Sequence, residues 1–414
     1  MRLFVAIAVF LPVLLNADKL KRMSPEEMGL LALERSEQVT SLELEVLSQK
    51  ANVEQAGVYK NPSVSFSLGK RIDNGDSGPA YQIGVSQPFL FPGKRKLKEK
   101  TNIEEVRSSK ERLKQQKLNI YYDVLLLAYD YFISIEREKH ARERMKRFKI
   151  LDKFFRSRPF PSLKNKLSKM VIANRLRILK AELTGIQNEK QIAWENLNLY
   201  LSLSEKIVPD VGLFIKLPKL SFDVLLDASL KNSSYLKELE SKVRQFSLLA
   251  KLAEKEVYPD ISLKGYYSRQ SGGGEEINYG AGVSIPIPVW NRNKGKYRAY
   301  DFKSSAFLEK LKFEKKQLIQ KFQIYKSKFI TAEKKVGSLP GSLMKGAHKQ
   351  LQYADYTFRR GLIGFAEFLN VEEEHDVIHE EILEVHREYA LFRIKLYYLS
   401  GEILTVFPKG VFDV

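Results

Sequence analysis

Two segments of the chain alternate apolar and polar residues with a period of two. The apolar positions are Val64, Phe66, Leu68, Tyr81, Ile83 and Val85 in the first segment, and Ile261, Leu263, Tyr279, Ala281, Val283 and Ile285 in the second. A polar, Gly-rich turn divides each segment, at 70–80 and at 269–277. This pattern predicts two β-hairpins, each with one apolar and one polar face, with strands at about 62–71, 79–88, 259–268 and 277–287.

Long segments with helical spacing of apolar residues follow both hairpins. From Lys94 to about Arg156 the chain has no proline, and the spacing predicts about 90 Å of helix at 1.5 Å per residue. A similar stretch runs from about 295 to 358 and is interrupted at 337–342. Returning helices are predicted at about 162–203 and 364–400. Helices of this length predict an elongated molecule.

The two hairpins belong to two copies of one unit. Gly-Val-Ser-x-Pro occurs at 84–88 and again at 282–286, and aromatic and basic residues follow each time. We expect the proline to end strand pairing, because it has no N–H to donate. The predicted organisation is listed in chain order: a signal peptide at 1–17, a first repeat at 18–203, a linker at 204–221, a second repeat at 222–400 and a C-terminal tail at 401–414.

Composition and the N-terminus narrow the class of protein. The absence of cysteine excludes disulfides, cysteine-type zinc sites and a lipid-modified N-terminal cysteine. The formal charge is +19, but basic residues are interspersed with acidic ones, which is typical of solvated helix faces rather than of a nucleic-acid site. Arg2, the apolar run at 3–15 and Ala17 predict a signal peptide. That run is shorter than the roughly 20 residues needed to span a bilayer.

Four strands cannot close a membrane barrel, because an open edge leaves backbone groups unsatisfied in hydrocarbon. Three chains would supply twelve strands and a lumen wide enough for water; an ordinary soluble sandwich edge is the alternative. The residues expected to face lipid are Val64, Phe66, Leu68, Ile83, Val85, Ile261, Leu263, Ala281, Val283 and Ile285. Phe89, Phe91 and Trp290 are expected at the membrane boundary, where rings of aromatic side chains gather.

The chain resembles the TolC family of outer-membrane efflux proteins across nearly its whole mature length. The resemblance rests on the duplicated helix–hairpin–helix arrangement and on five segments: NPSVSFSLG, GVSQPFLFPGKRK, VYPDISLKGYYS, GVSIPIPVWNRNKGK and YTFRRGLIGFAEFLNVEEE. The form IPIPVWNRNKGK is similar to the branch that partners heavy-metal (Czc/Cus-like) resistance pumps.

This resemblance implies a mainly α fold with a small β part. Long antiparallel helical hairpins would form a periplasmic tunnel, and two β-hairpins per chain would form a trimeric, 12-stranded transmembrane barrel. The implied function is a passive exit duct for an inner-membrane pump of the resistance-nodulation-division type and its periplasmic adaptor, with metal cations as one candidate cargo. No cofactor, enzymatic activity or nucleic-acid partner is expected. The alternative is an exported, basic coiled-coil interaction protein without channel activity.

Both helix-to-helix turns are expected at the periplasmic tip. The first lies in RSRPFPSLKN, where family members commonly carry a glycine and this chain has none, and the second lies in FRRGLIGF. The candidate residues for the tip, the gate and the adaptor contact are Arg156, Arg158, Phe160, Arg359, Arg360, Gly361 and Gly364. Glu367 and Glu372 are candidate acidic partners of these arginines.

His375 and His379 lie four residues apart on a predicted helix, and His386 follows seven residues later. Two imidazoles on one helix face can bind a metal. Asp376 occupies the place that the zinc-protease motif requires for Glu, and histidines in a Glu-rich helix more often lie on a solvated face. The sequence therefore predicts no metal site, with this pair as weak candidates.

Overall fold

The computed structural model describes residues 22–73, 75–157, 163–212, 219–404 and 406. The predicted signal peptide and the tip residues Arg158 and Phe160 lie outside the described residues. The elements in chain order are β1 (Arg22–Met23), α1 (Pro25–Arg35), α2 (Glu37–Gly57), β2 (Ser63–Asp73), β3 (Asp76–Phe89), α3 (Lys94–Arg156), α4 (Leu163–Leu201), β4 (Val208–Pro209), α5 (Phe222–Asn232), α6 (Ser234–Lys255), β5 (Ile261–Gln270), β6 (Glu276–Ser284), α7 (Lys294–Ser338), α8 (Gly341–Arg359) and α9 (Phe365–Leu399).

The long helices have the extents that the apolar spacing indicated. Helix α3 contains 63 residues, which corresponds to about 95 Å. In the second repeat the equivalent stretch is divided into α7 and α8 at Pro340, because proline cannot donate a helical hydrogen bond. Gly93 and Asn293, which precede α3 and α7, both have left-handed backbone angles. None of the described helices is long and apolar enough to cross a membrane.

The two hairpins form one antiparallel sheet in the order β2-β3-β5-β6. Residues paired directly across strands lie on the same face. Phe66 pairs with Ile83, and Ile83 in turn pairs with Tyr267. Tyr267 pairs with Tyr279, so the apolar positions of all four strands share one face. A slip of one residue in any of these pairings would move the apolar residues of that strand to the other face.

The ends of the returning strands correct one expectation. Pro88 does not end pairing, since it lies opposite Ser262 and β3 continues to Phe89. Beyond Ser86, strand β3 has no partner on its β2 side, so a missing N–H there costs no ladder bond. In the second repeat the expectation holds, because β6 ends at Ser284 before Pro286.

Five helices pack against α3, namely α1, α2, α4, α6 and α9, and α7 packs against α6 and α9. Near the middle of α3, Tyr121 and Leu125 are buried in a cluster with Ile394 of α9. Near its end, Phe148 and Phe155 are buried with residues of α8 and α9. The hydrophobic core therefore lies among the helices, and the sheet extends from it without a core of its own.

Candidate functional site

The apolar face of the sheet is exposed in the single chain. Val64, Phe66 and Leu68 retain 68%, 64% and 72% of their accessible surface. Nine of the ten residues expected to face lipid lie on this face within strands, and Ile285 lies just beyond the end of β6. A contiguous exposed apolar surface of this kind marks an interaction site, which here is either another protein or lipid.

The opposite face of the sheet is lined by small and polar residues. Its strand positions include Ser63, Ser65, Ser67, Gln82, Gly84, Ser86, Lys264, Ser268, Asn278, Gly280, Gly282 and Ser284. The hydroxyl groups of Ser63 and Ser65 donate to the carbonyl oxygens of Ser86 and Gly84 across the hairpin. A surface of this composition suits contact with water rather than with a packed core.

Both edges of the sheet are open. Within the described residues, β2 pairs only with β3, and β6 pairs only with β5. These edge strands are 11 and 9 residues long, and a long apolar edge with unpaired backbone groups is a template for pairing with another chain. Since the two edges differ in sequence, pairing of β6 with β2 of another copy would be head-to-tail, which is the arrangement that closes rings.

The aromatic residues at the end of the sheet have different surroundings. Phe91 stacks on Tyr258 with ring centroids 4.8 Å apart, and Phe89 ends β3 on the apolar face. Trp290 is 94% exposed. The buried Lys94 donates to an Asp260 carboxylate oxygen at 2.8 Å and to the Tyr258 carbonyl oxygen at 2.6 Å, which fixes the start of α3 against the start of β5.

The second helix-to-helix turn is stabilised within its own segment. Gly361 has a φ of 76°, a conformation that favours glycine, and the N–H of Gly364 donates to the Glu367 carboxylate at 2.6 Å. Arg359 pairs with Asp355 at 2.8 Å in the same helix. The guanidinium of Arg360 lies 4.5 Å from the Tyr356 ring centroid.

Within the described part of one chain, the expected acidic residues Glu367 and Glu372 do not pair with the tip arginines. Glu367 caps helix α9, because a carboxylate in the first turn satisfies free backbone N–H groups. Glu372 is buried and pairs with arginines of α3. Arg156 pairs with Asp152 one turn earlier in its own helix, at 2.8 Å.

A buried ion network joins α3 to α9 in the part of α9 that follows this turn. Glu372 is 0% exposed and accepts hydrogen bonds from Nε of Arg144 at 3.0 Å and from Nη2 of Arg147 at 3.3 Å. Arg144 also pairs with Asp376, which is hydrogen-bonded to His140 at 2.9 Å. Burial alone would raise the pKa of Asp376, but the hydrogen bond from His140 and the charge of Arg144 outweigh burial and lower it.

All histidines except His386 line one cavity of about 500 Å³ beside this network. The rings of His140 and His379 are stacked, with centroids 3.7 Å apart, and the ring of His375 lies 5.5 Å from that of His140. The Nδ1 atoms of His375 and His379 are buried without a hydrogen-bond partner in the described part of the chain.

Burial favours the neutral form of His375 and His379. Burial lowers the pKa of His375 to about 4, with a further contribution from the charge of Arg147. Burial and the neighbouring His140 lower the pKa of His379 to about 3. The structure thus brings the two candidate ligands together with His140, but no group of three or more His, Asp or Glu residues among the described ones is arranged to hold a metal ion.

Sequence reasoning missed two features of this end of the molecule. One is the ion network, in which Arg144 and Glu372 lie 228 residues apart along the chain. The other is the aromatic cluster in which Phe155 contacts Phe358 and Phe365, with ring centroids 5.9 and 5.4 Å apart. Aromatic residues recur at helical spacing on both sides of the second turn, and this signal could have identified the cluster.

Comparison with known proteins identifies the fold. No sequence-family model and no curated protein sequence matches the chain. Solved structures do match: a membrane protein from Pseudomonas aeruginosa has a TM-score of 0.75 at 14% identity, covering 91% of this chain and 92% of that one. The open state of the MtrE outer-membrane channel of Neisseria gonorrhoeae has a TM-score of 0.73 at 14% identity, with 91% and 88% covered.

A third structure comes from work on folding and transmembrane channel formation by CusC. It has a TM-score of 0.70 at 16% identity and covers 91% of this chain and 92% of that one. In each of the three cases the similarity covers about nine-tenths of the chain. The chain therefore has the fold of the TolC-type outer-membrane channels, as its sequence repeats predicted.

Proposed function

We propose that the protein is an outer-membrane channel that serves as the exit duct of a tripartite efflux system. The observation that supports this most directly is the two-faced sheet at the end of a long helical bundle. Its apolar face is exposed, its other face is polar and both edges are open. A transmembrane barrel formed with other copies of the chain satisfies all three features at once.

The proposed number of chains is supported by the number of strands. Each chain contributes four strands, and three chains give the twelve strands of a water-filled barrel. The matched outer-membrane channels support this arrangement by analogy of fold. The protein then lies in the outer membrane, with its helices in the periplasm, and acts as a passive conduit rather than as an enzyme.

The partners in this proposal are an inner-membrane pump of the resistance-nodulation-division type and a periplasmic adaptor. The turn between α8 and α9, with Arg359, Arg360 and Gly361, is the proposed adaptor contact together with the tip that follows Arg156. The proposal of metal cations as cargo rests on the resemblance of the segment at 285–296 to the heavy-metal branch. The coiled-coil interaction protein is less favoured, because it needs no two-faced sheet.

Reconstitution tests the proposal. Protein purified from the membrane fraction in detergent is expected to have the mass of three chains and to produce stepwise ion conductance in planar bilayers. A water-soluble monomer that does not insert would contradict the channel function. Insertion as a different oligomer would contradict only the number of chains.

A further inference from the structure

A cleft with a volume of about 260 Å³ lies where the sheet meets the first long helix. Its walls are formed by Tyr59 and Lys60 ahead of β2, by the segment at 88–93, and by Arg95 and Lys96 in the first turn of α3. We call this the headgroup cleft. It combines apolar and aromatic walls with three cationic side chains.

The cations of the cleft form no close ion pairs among the described residues, although the charge of Lys60 acts on the Asp260 carboxylate, which is paired with Lys94. Neither Lys60 nor Arg95 nor Lys96 forms an ion pair with a carboxylate in the part of the chain that the structure describes. Arg95 lies over the Tyr59 ring at 4.4 Å and donates one hydrogen bond to the carbonyl oxygen of Gly57, so most of its N–H groups are available to a ligand. The neighbouring Lys94 differs, since it is buried and paired with Asp260.

The backbone adds to the positive potential of the cleft. Helix α3 begins after Gly93, which has no side chain to cap the free N–H groups of the first turn. The amine of Lys255 approaches so closely that a Cβ at Gly93 would lie 2.8 Å from it. Uncapped N–H groups and several nearby cations together favour a phosphate.

The position of the cleft indicates the source of the phosphate that it would bind. Phe89, which lines the cleft, also ends the apolar face on the side where the helices begin. The hairpin turns lie at the opposite end of the strands. If the apolar face contacts lipid, as the proposed function requires, the cleft lies level with the headgroups of the inner, periplasmic leaflet.

We propose that the headgroup cleft binds the phosphate of an anionic phospholipid of the inner leaflet, with the acyl chains lying along the apolar face. This inference rests on the proposed function. Arginine and lysine near a membrane surface each favour anionic lipid, and a defined cleft adds a fixed geometry for the phosphate. The site would hold the end of the first hairpin of each chain at the membrane boundary.

The basic side chains of the cleft are not repeated in the described part of the second repeat. Val257 takes the place of Lys60 when the repeats are aligned through Pro62 and Pro259. Lys296, near the start of α7, pairs with Glu256 at 2.6 Å. The proposal therefore assigns one headgroup site to each chain, in the first repeat only.

Lipid binding by purified, detergent-solubilised protein tests the inference. The cleft variant is Lys60→Gln/Arg95→Gln/Lys96→Gln. The matched control is Lys146→Gln/Lys149→Gln/Lys153→Gln, which removes the same charge from exposed positions at the other end of α3. Native mass spectrometry would count retained phosphatidylglycerol and phosphatidylcholine, and inorganic phosphate would be added as a competitor.

Wild type and control are expected to retain phosphatidylglycerol in preference to phosphatidylcholine, one tightly held lipid per chain. The cleft variant is expected to bind phosphatidylglycerol about a hundredfold more weakly, from roughly 1 kcal/mol per basic residue and 1.4 kcal/mol per tenfold. Equal retention by cleft variant and wild type would overturn the inference. Full displacement of the lipid by millimolar inorganic phosphate would also overturn it, because the site would then select a free anion.

The two proposals fail in different ways. If the wild-type protein does not insert into bilayers, the channel function is contradicted. If it inserts and conducts but shows no preference for phosphatidylglycerol, only the headgroup cleft is contradicted. The ion conductance of the cleft variant is therefore measured together with its lipid binding.

Discussion

The sheet and the helical segment near the second turn differ in the kind of side chain that each exposes or buries. The sheet exposes large apolar residues such as Phe66 and Leu68, while the helices bury charged ones such as Arg144 and Glu372. Apolar residues exposed on one face imply surroundings other than water. Buried charges that are paired on all sides imply a fixed junction between helices. The difference agrees with the proposed function, in which the sheet contacts lipid and the helices form a defined junction.

Removal of the buried carboxylate is expected to have the largest effect. Glu372→Gln leaves the charge of Arg144 buried without its main partner, which costs about 3–5 kcal/mol in comparable buried pairs. The control is Glu373→Gln, whose single ion pair with Arg175 at 3.2 Å is more exposed and contributes about 0–1 kcal/mol. Chemical denaturation of the two variants measures the difference. Equal loss of unfolding free energy would show that the network is not the junction.

The two faces of the sheet can be compared by introducing a charge on each. Val283 lies on the apolar face, and Ser284, the next residue, lies on the polar one. Arginine facing lipid costs about 0–1 kcal/mol near the interface and up to about 4 kcal/mol at the midplane. Val283 lies towards the periplasmic end of the sheet, since it pairs with Leu263, two residues from Ile261, which pairs with Phe89. Val283→Arg is still expected to impair membrane insertion more than Ser284→Arg. Quantitative membrane fractionation measures this. Similar insertion of both variants would contradict the assignment of the faces.

Acid is expected to weaken the helix junction through its histidines. The folded-state pKa values of His375 and His379 are about 4 and about 3, whereas the unfolded chain has a value of about 6.5. The unfolded state therefore binds more protons below pH 6.5, and the stabilisation present above that pH is lost as the pH falls towards 4. The loss is about 1.4 kcal/mol for each pH unit and histidine at most.

A double variant tests this pH dependence. His375→Gln/His379→Gln is expected to flatten the fall in unfolding free energy between pH 6.5 and 4. His348→Gln serves as the control, because His348 lines the same cavity but is exposed. An unchanged slope in the double variant would mean that other groups determine the acid sensitivity.

Substitutions at the turn are expected to affect stability least. Arg359 and Arg360 are exposed and interact only with Asp355 and Tyr356 of their own helix among the described residues, and such contacts contribute about 0–1 kcal/mol. Arg359→Glu/Arg360→Glu should therefore leave the yield of assembled protein intact and change ion conductance or efflux. If conductance and efflux both stay at wild-type levels, these arginines have no part in the gate or the adaptor contact.

The sheet could be predicted from the sequence because a period of two determines the face of every residue. Val64, Ile83 and Val283 were assigned to one face without knowledge of the strand order. The behaviour of Pro88 could not be predicted, since it depends on which neighbour β3 lacks at that point. The local pattern predicts alternation, whereas the end of a strand depends on its partners.

The ion network could not be predicted, for a different reason. Arg144 and Glu372 occur in charge-rich helices, where a charged residue is normally solvated. Their burial depends on how α3 meets α9, and helical periodicity does not encode that contact. The same holds for His140, which becomes a neighbour of His379 only through the packing of the two helices.

Solvent access to adjacent residues of β2 tests the central claim most directly. The chain has no cysteine, so single cysteines at Ser65 and Phe66 can be labelled without background in reconstituted protein. With a membrane-impermeant maleimide, Ser65→Cys is expected to react in intact proteoliposomes, and Phe66→Cys only after the bilayer is dissolved. Equal labelling of both positions in the intact bilayer would contradict the account of a sheet with lipid on one face and water on the other.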